Sequence, residues 1–242
     1  MRDYQKETEK RINFIRDVTQ SSGARGIVYG NSGGKDSALV GILCKMAYAD
    51  TLGLIMPCGS KRNYEIDKAD AEAIAAQFNI AIRVIDLTPA KNELVRAISA
   101  NAGLSDMALA NISPRLRMAA LYAVASSENR LVAGTGNRSE GYMGYFTKWG
   151  DGAHDFNPIA DLTVTEIYEY LKFLGAPDFI INKAPSAGLF DGQTDEGEMG
   201  ITYNRIDRFL LAGEANEHDK AVIEKYHALS EHKRKMPLIY EG

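Results

Sequence analysis

The sequence has little cysteine, little net charge and no long apolar run. Its 242 residues include two cysteines, Cys44 and Cys58, whose spacing fits neither a disulfide framework nor a metal-binding motif. We therefore expect a reduced, cytoplasmic protein. The net charge of −4 argues against a general nucleic-acid or membrane-surface binder. The N-terminus is charged and no apolar run reaches membrane-spanning length, so we expect no membrane partner.

The composition is that of a globular protein. Hydrophobic residues make up 45% of the chain and charged residues 25%, as is typical of a soluble domain. Residues 1–242 can therefore form one large domain that buries a substantial core without cross-links.

Short apolar runs alternate with helical patterns through the first half of the chain. We predict strands at residues 27–30, 51–57, 80–87 and 130–134. Helices are predicted at residues 38–48, 67–78 and from a break at Ser113-Pro114 to residue 125. This alternation predicts a single-domain α/β fold: an open, mostly parallel, Rossmann-like sheet with helices on both faces. Ligands bind at the carboxyl ends of such strands, where Gly30, Pro57 and Gly134 lie.

Other segments are expected to surround this sheet. Amphipathic or capped helices are predicted at residues 3–19, 163–174, 203–211 and 218–229. Residues 141–157 are aromatic and glycine-rich, which indicates a functional loop. Residues 186–200 are polar, acidic and glycine-rich, which predicts a segment that is mobile without ligand.

A glycine-rich turn follows the first predicted strand. Gly33 and Gly34 allow the backbone to adopt positive φ and to bring N–H groups close to an anion. The helix that starts near Asp36 adds the positive end of its dipole. The sequence therefore predicts a polyphosphate site.

Two commoner glycine motifs are excluded by their spacing. In a Walker A loop a glycine would stand at Tyr29, and Lys35 would be followed by serine or threonine rather than by Asp36. A Rossmann fingerprint at residues 134–139 would need a third glycine where Ser139 stands.

Residues 32–37, Ser-Gly-Gly-Lys-Asp-Ser, resemble the S-G-G-x-D-S loop of the N-type ATP pyrophosphatases. In that superfamily the loop grips the β- and γ-phosphates of ATP, so that the α-phosphate is attacked. The resemblance implies AMP and pyrophosphate as products.

Five further motifs make the resemblance more specific. They are NISPRLRM at 111–118, GTGNRSE at 134–140, FTKWGDG at 146–152, QTDE at 193–196 and EHKR at 231–234. In this order they resemble the ammonia-dependent NAD synthetases over nearly the whole chain. The resemblance implies an adenine nucleotide alpha hydrolase-like fold and the amidation of deamido-NAD by ammonia through an acyl adenylate. It also implies ATP as co-substrate and a homodimer with deamido-NAD sites at its interface.

A cation is required by this chemistry, because a carboxylate must approach a negatively charged triphosphate. Mg²⁺ is typically held by one or two carboxylates together with phosphate oxygens. Asp36 and Glu140 each lie just past a strand end and match metal-ligand positions of the resembled family. We expect both to be catalytic residues and metal ligands.

The same resemblance implies two sets of binding residues. ATP would contact Gly30, Asn31, Ser32, Gly33, Gly34, Lys35, Asp36, Ser37, Thr135 and Ser186. Deamido-NAD would contact Arg115, Lys148, Asp155, His232 and Lys233. Arginine can grip phosphate bidentately, and lysine binds it as a point charge.

Two of these assignments depend on a choice. Arg115 and Arg117 cannot share a helix face, and we choose Arg115 as the one that points into the site. Val164 stands where the resembled family often has a lysine that contacts ATP, and Lys35 or Lys183 could compensate.

Other functions compete with this interpretation. A tRNA-thiolating or GMP-forming enzyme of the same superfamily is one alternative, but thiolation asks for a reactive cysteine and a basic surface, and only Cys58 is well placed. A non-catalytic adenine-nucleotide sensor is another, and the pair Asp36 and Glu140 argues against it. The motifs leave no room for a glutaminase domain of roughly 250 residues, so we expect free ammonia as the nitrogen donor.

Overall fold

Four parallel strands form the centre of the protein. The computed structural model describes residues 2–61, 63–183 and 194–240. Its strands are β1 (Gly26–Gly30), β2 (Thr51–Ile55), β3 (Ala81–Val84) and β4 (Arg130–Ala133). They lie in the order β3-β2-β1-β4, and all three pairings are parallel. The predicted parallel sheet is confirmed.

Helices connect the strands and cover them. Their bounds are α1 (Tyr4–Ser22), α2 (Lys35–Ala47), α3 (Lys68–Gln77), α4 (Thr88–Ser99), α5 (Asp106–Glu128), α6 (Arg138–Met143), α7 (Val164–Phe173), α8 (Asp178–Ile181), α9 (Asp195–Met199), α10 (Tyr203–Ala212), α11 (Glu217–Leu229) and α12 (Glu231–Arg234). A π-helical turn, Asn63–Asp67, leads directly into α3. Among the described helices, none combines the length and the hydropathy needed to cross a membrane.

The side chains of β1 alternate between two apolar layers. Ile27 and Tyr29 pack into a core with residues of α2 and α7, whereas Val28 packs into a second core that includes Ala125 of α5. Successive strand side chains point to opposite faces, so each layer needs its own helices. The expected α/β fold with helices on both faces is confirmed.

The predicted helix break at Ser113-Pro114 is wrong. Helix α5 begins much earlier, after Ser105, whose side chain accepts a hydrogen bond from the Ala108 amide. Proline inside a helix costs about 3 kcal/mol. Pro114 is buried, and a Cβ added to Gly150 would lie only 2.9 Å from it. Close packing of Pro114 against the loop that follows α6 therefore offsets part of this cost.

The other helix predictions agree with the structure. The caps of α7 form as expected, since the Thr163 amide donates to Glu166 Oε2 at 2.9 Å. Helix α4 was not predicted. Helix α9 lies within the segment that was expected to be mobile, and residues 184–193, which include Ser186, lie outside the described residues.

Candidate functional site

A cavity of about 1220 Å³ opens at the carboxyl ends of β1, β2 and β4. Its wall includes residues 34–37 after β1, Met56 and Pro57 after β2, and residues 134–138 after β4. The expectation that the glycine loop and the turn after β4 share one crevice is confirmed.

The glycine loop is held together by its own serines. Ser37 Oγ lies 3.0 Å from Ser32 Oγ and donates to the Gly34 carbonyl at 3.0 Å. The Gly34 amide donates to Ser32 Oγ at 3.3 Å. Gly34 precedes α2 without a capping side chain, so the first turn of α2 has amides that an anion can satisfy.

Gly33 has a conformation and a position that only glycine can occupy. Its φ is +69°, in the left-handed region, and an added Cβ would lie 2.2 Å from the Asp67 carbonyl oxygen. The loop therefore packs directly against the turn that leads into α3.

Asn137 connects the two predicted metal ligands. Its Nδ2 donates to Asp36 Oδ1 at 3.0 Å, and its backbone amide donates to Glu140 Oε2 at 3.1 Å. Burial raises the pKa of Glu140 well above its usual value, and the negative charge of Asp36 raises it further. Both carboxylates line the cavity.

Lys35 is a buried counter-ion of this acidic centre. Its Nζ donates to Asp36 Oδ2 at 2.7 Å and lies 5.7 Å from the centroid of the Tyr203 ring. Burial alone would lower the pKa of Lys35, but the charges of Asp36 and Glu140 outweigh it and raise the pKa. In this arrangement the ammonium binds the Asp36 carboxylate at the wall of the cavity.

A third acidic side chain was missed by the sequence analysis. Asp195 lines the cavity, accepts a hydrogen bond from Tyr203 Oη at 3.1 Å, and raises the pKa of Glu140 through its charge. The QTDE motif contains Asp195, but no role was assigned to it there. Its place beside the acidic centre depends on the packing of α9 against α10, which no local pattern reveals.

Arg117, and not Arg115, lines the crevice. Arg117 donates from Nε to the Met56 carbonyl and from a terminal nitrogen to Asn63 Oδ1, both at 3.1 Å. Burial lowers the pKa of Arg117. Arg115 is exposed outside the cavity wall and approaches the Lys148 carbonyl at 3.4 Å. Arg117 is therefore the arginine of this cavity wall, whereas contact of Arg115 with the dinucleotide stays a prediction.

Three of the residues predicted for the dinucleotide lie together. Lys148 Nζ donates to the His232 carbonyl at 2.6 Å and lies 5.4 Å from the Trp149 ring centroid. Lys233 lines the cavity and donates to the Gly144 and Phe146 carbonyls. Burial lowers the pKa of Lys233.

Asp155 lies apart from that group. Its carboxylate accepts hydrogen bonds from the Val132 amide at 2.7 Å and from Tyr122 Oη at 3.1 Å, beside β4 and α5. Thr135, predicted for ATP, lines the cavity directly after β4.

Val164 is a core residue in this protein. It is 3% exposed and packs with Met143 and Ile206. Lys183 Nζ donates to the Gly33 carbonyl, Asp67 and Asp70. Both Lys35 and Lys183 line the cavity, so compensation for the missing lysine by either one stays a prediction.

His154 is a second wall residue that the sequence analysis missed. Its imidazole lies against the backbone of Gly134, where an added Cβ would be 2.5 Å from the ring. Burial lowers the pKa of His154, which favours the neutral imidazole. The side chain lines the cavity beside Thr135.

Both cysteines are buried. Cys44 is 0% and Cys58 3% exposed, and each packs in an apolar core as a free thiol. Burial raises the pKa of Cys44. Neither has the solvent-accessible setting of a reactive cysteine, which weakens the thiolation alternative.

Comparison with known proteins gives consistent results. The family model described as NAD synthase matches residues 7–237. An NH(3)-dependent NAD(+) synthetase of Carboxydothermus hydrogenoformans is 46% identical over 239 residues, which is 97% of each chain. An NMN synthetase structure from Francisella tularensis covers 100% of both chains at 37% identity and a TM-score of 0.94. An NH3-dependent NAD synthetase structure from Campylobacter jejuni covers 100% of both chains at 33% identity and a TM-score of 0.80.

Proposed function

The chain belongs to the NAD synthase family, and on that premise we propose that it joins ammonia to deamido-NAD with ATP, giving NAD, AMP and pyrophosphate. The protein is then a ligase that forms a carbon–nitrogen bond. One observation carries the proposal: a polyphosphate loop without Walker A spacing opens into the same cavity as the carboxylates of Asp36 and Glu140.

The loop geometry supports attack on the α-phosphate. The amides of residues 32–37 and the hydroxyls of Ser32 and Ser37 can bind the β- and γ-phosphates without adding charge. Pyrophosphate is then held as the leaving group. The substrate carboxylate attacks the α-phosphate, an acyl adenylate forms, and ammonia displaces AMP from it.

Mg²⁺ fits the donor set at the acidic centre. Asp36 and Glu140 line the same cavity, and the charge of Asp36 raises the pKa of Glu140, so a cation between them would stabilise the ionised Glu140. Within the described residues, no group of three or more His, Cys, Asp or Glu side chains could hold a metal. Phosphate oxygens and water would supply the other ligands, as Mg²⁺ prefers. Bound there, Mg²⁺ would neutralise the charge that keeps the two anionic substrates apart.

The dinucleotide is proposed to bind across two copies of the chain. Lys233 lines the cavity of a single chain, whereas Lys148, which donates to the His232 carbonyl, and Arg115 lie outside it. A homodimer brings such outer residues into a shared site, and Asp155 is proposed to contribute to it. Thr135 and Ser186 are proposed to contact ATP.

A second candidate is amidation of the mononucleotide, nicotinate mononucleotide, to NMN. The observation that favours it is the TM-score of 0.94 to a protein described as an NMN synthetase, against 0.80 to an NH3-dependent NAD synthetase. Both reactions amidate the same pyridine carboxylate, so the acidic centre and the glycine loop serve either one.

A comparison of the two candidate substrates in the same assay separates the two functions. Purified protein is incubated with ATP, Mg²⁺ and ammonium, together with deamido-NAD or nicotinate mononucleotide, and the nucleotides are resolved by chromatography. We expect NAD, AMP and pyrophosphate from deamido-NAD. Higher kcat/KM for the mononucleotide would favour the second candidate. Release of ADP would overturn the assignment of the loop, and ATP binding without turnover would favour the sensor.

Asp36→Asn tests the acidic centre in the same assay. We expect loss of turnover even at saturating Mg²⁺, because the neutral amide cannot offset the cation's charge.

The variant should also be less stable, since Lys35 is 5% exposed and loses its carboxylate partner. The double variant with Lys35→Met should regain stability but not turnover. Turnover near the wild-type value in Asp36→Asn would contradict this role.

A further inference from the structure

Lys183 makes an unusual set of contacts beside the glycine loop. Its Nζ donates to the Gly33 carbonyl at 2.9 Å, to Asp67 Oδ1 at 2.8 Å and to Asp70 Oδ2 at 2.7 Å. An ammonium has three hydrogens to donate, so these three acceptors use all of them. The backbone is held as well, because Tyr168 Oη donates to the Lys183 carbonyl at 2.8 Å.

The contact with Gly33 determines how one peptide plane is turned. In a trans peptide the carbonyl and the following N–H point in opposite directions. Since the Gly33 carbonyl points at Lys183, the Gly34 N–H points the other way, where it donates to Ser32 Oγ. Ser32, Gly34 and Lys183 line the cavity, whereas Gly33 does not, so the Gly33 carbonyl is covered by the Lys183 ammonium.

Without Lys183, the plane of this peptide would be weakly defined. The peptide joins Gly33 to Gly34, and neither residue has a Cβ that restricts φ and ψ. Rotation of the peptide plane therefore requires little energy. Rotation would turn the Gly33 carbonyl oxygen toward the cavity. A polyphosphate would then face a repulsive oxygen in place of an N–H donor.

We propose that Lys183 is a positioning residue for the phosphate loop: by binding the Gly33 carbonyl, it keeps the Gly34 N–H directed at a bound polyphosphate. Asp67 and Asp70 hold the ammonium at the end of that carbonyl. The inference rests on the proposed function only in that the loop binds the β- and γ-phosphates of ATP. It does not depend on which nucleotide is amidated.

Equilibrium binding tests the proposal without turnover. ATP, pyrophosphate and AMP are titrated into the wild type and Lys183→Met by calorimetry. We expect Lys183→Met to bind ATP and pyrophosphate about 10- to 100-fold more weakly. This loss corresponds to one charge-assisted hydrogen bond, the one from the Gly34 N–H to a phosphate oxygen. AMP, which lacks the β- and γ-phosphates, should bind as before. Equal loss for all three ligands would indicate a general structural role and would overturn the proposal.

A second measurement separates positioning from direct contact with phosphate. Amide hydrogen exchange is followed in the peptide that spans residues 31–37, in the protein without ligand. Positioning predicts faster exchange in Lys183→Met, because the peptide plane is released before any ligand binds. Weaker ATP binding with unchanged exchange would mean that Lys183 binds phosphate itself, and the proposal would fail.

Matched variants complete the design. Lys220→Met removes an exposed lysine that pairs with Glu224 on α11, and it should change neither binding nor exchange in the loop. Lys183→Arg keeps the charge and the donors and should retain most of the ATP affinity. If Lys183→Met does not fold, Asp70→Asn removes one carboxylate that holds the ammonium and should accelerate exchange in the loop to a smaller extent. Unchanged exchange in that variant would equally contradict the proposal.

Discussion

Asn137 organises the acidic centre through three hydrogen bonds. Its side chain donates to Asp36 Oδ1 at 3.0 Å and accepts from the Glu140 amide at 2.9 Å, while its own amide donates to Glu140 Oε2 at 3.1 Å. The last two bonds form a capping box that begins α6. One residue therefore both starts a helix and fixes the position of two carboxylates.

Asn137→Ala should separate these two effects. We expect a loss of about 1 kcal/mol in the free energy of unfolding from the missing cap. We also expect turnover to fall on the order of 100-fold, because the carboxylates are no longer held in place. Thr163→Ala is the matched control, since it removes the same kind of cap from α7. Urea unfolding and steady-state kinetics should show equal destabilisation but a kinetic defect in Asn137→Ala alone.

Tyr29 has a buried hydroxyl with no hydrogen-bond partner in the part of the chain that the structure describes. The hydroxyl packs against Gly41 and Gly53, and a Cβ added to Gly41 would lie 2.3 Å from Tyr29 Oη. An unpaired buried hydroxyl costs about 1–3 kcal/mol. Tyr29→Phe should therefore raise the melting temperature. Tyr170→Phe should lower it, because Tyr170 Oη lies 2.7 Å from Thr8 Oγ1. A lower melting temperature in Tyr29→Phe would count against the unpaired hydroxyl.

Sequence patterns predicted the residues of the site unevenly. The glycine loop was recognisable because its turn depends on residues that are neighbours in the chain, and Asp36 and Glu140 line the cavity because each follows a strand end within a short local motif. Asp195, His154 and Arg117 were not recognisable, because each reaches the cavity through packing between distant segments. The sequence around each of these three residues resembles that of an exposed polar residue, so it gives no local signal that the side chain lines the cavity.

Helices show the same division between local and tertiary information. The capping box at Thr163 predicted the start of α7 correctly, since caps depend on four consecutive residues. Pro114 misled the prediction for α5, because proline usually marks a helix boundary and here tertiary packing overrides that preference. Helix α4 buries none of its residues. It therefore has no core-facing apolar stripe by which the helix could have been predicted.

Helix α1 docks on the rest of the protein through arginine–carboxylate contacts. Arg11 donates from its two terminal nitrogens to Asp161 at 2.7 and 2.9 Å, and Arg2 Nε donates to Glu166 Oε1 at 2.6 Å. Burial alone would raise the pKa of Asp161, but its hydrogen bonds with Arg11 and the charges of Arg11 and Arg2 lower it below its usual value.

The stability that this contact supplies should depend on pH. A carboxylate whose pKa is lowered on folding stabilises the protein above its unfolded pKa of about 3.9. The contribution is lost as pH falls through the folded pKa. Asp161→Asn should therefore lower the free energy of unfolding by about 0.5–1 kcal/mol at neutral pH, because half of the Asp161 side chain is exposed and solvent screens the interaction. The gap from wild type should be constant at neutral pH and should narrow in urea titrations as pH falls below about 3.9, and Asp17→Asn, on the exposed side of α1, should show no gap. A gap that narrows only at higher pH, or that widens on acidification, would contradict the assignment.

At the scale of the whole molecule, one side of the sheet is poorly covered. The edge strand β3 is largely exposed, and Val84 is 46% exposed. Helix α4 beside it buries none of its residues, and Leu94 is 39% exposed. An open strand edge next to an apolar helix surface is a common site of association. Arg115 lies on the adjoining α5 and outside the cavity, which links this side of the protein to the predicted substrate residues.

We expect a two-fold dimer in which the second copy covers this side and completes the deamido-NAD site. Leu94→Glu should shift sedimentation toward the monomer, whereas Leu211→Glu, which changes a more exposed leucine on α10, should not. Because the glycine loop lies within one chain, ATP binding should survive dissociation while deamido-NAD binding weakens. Dilution of the wild type should produce the same order of losses. A monomer that retains full affinity for deamido-NAD would show that one chain supplies the whole site, and Arg115 would then need another role.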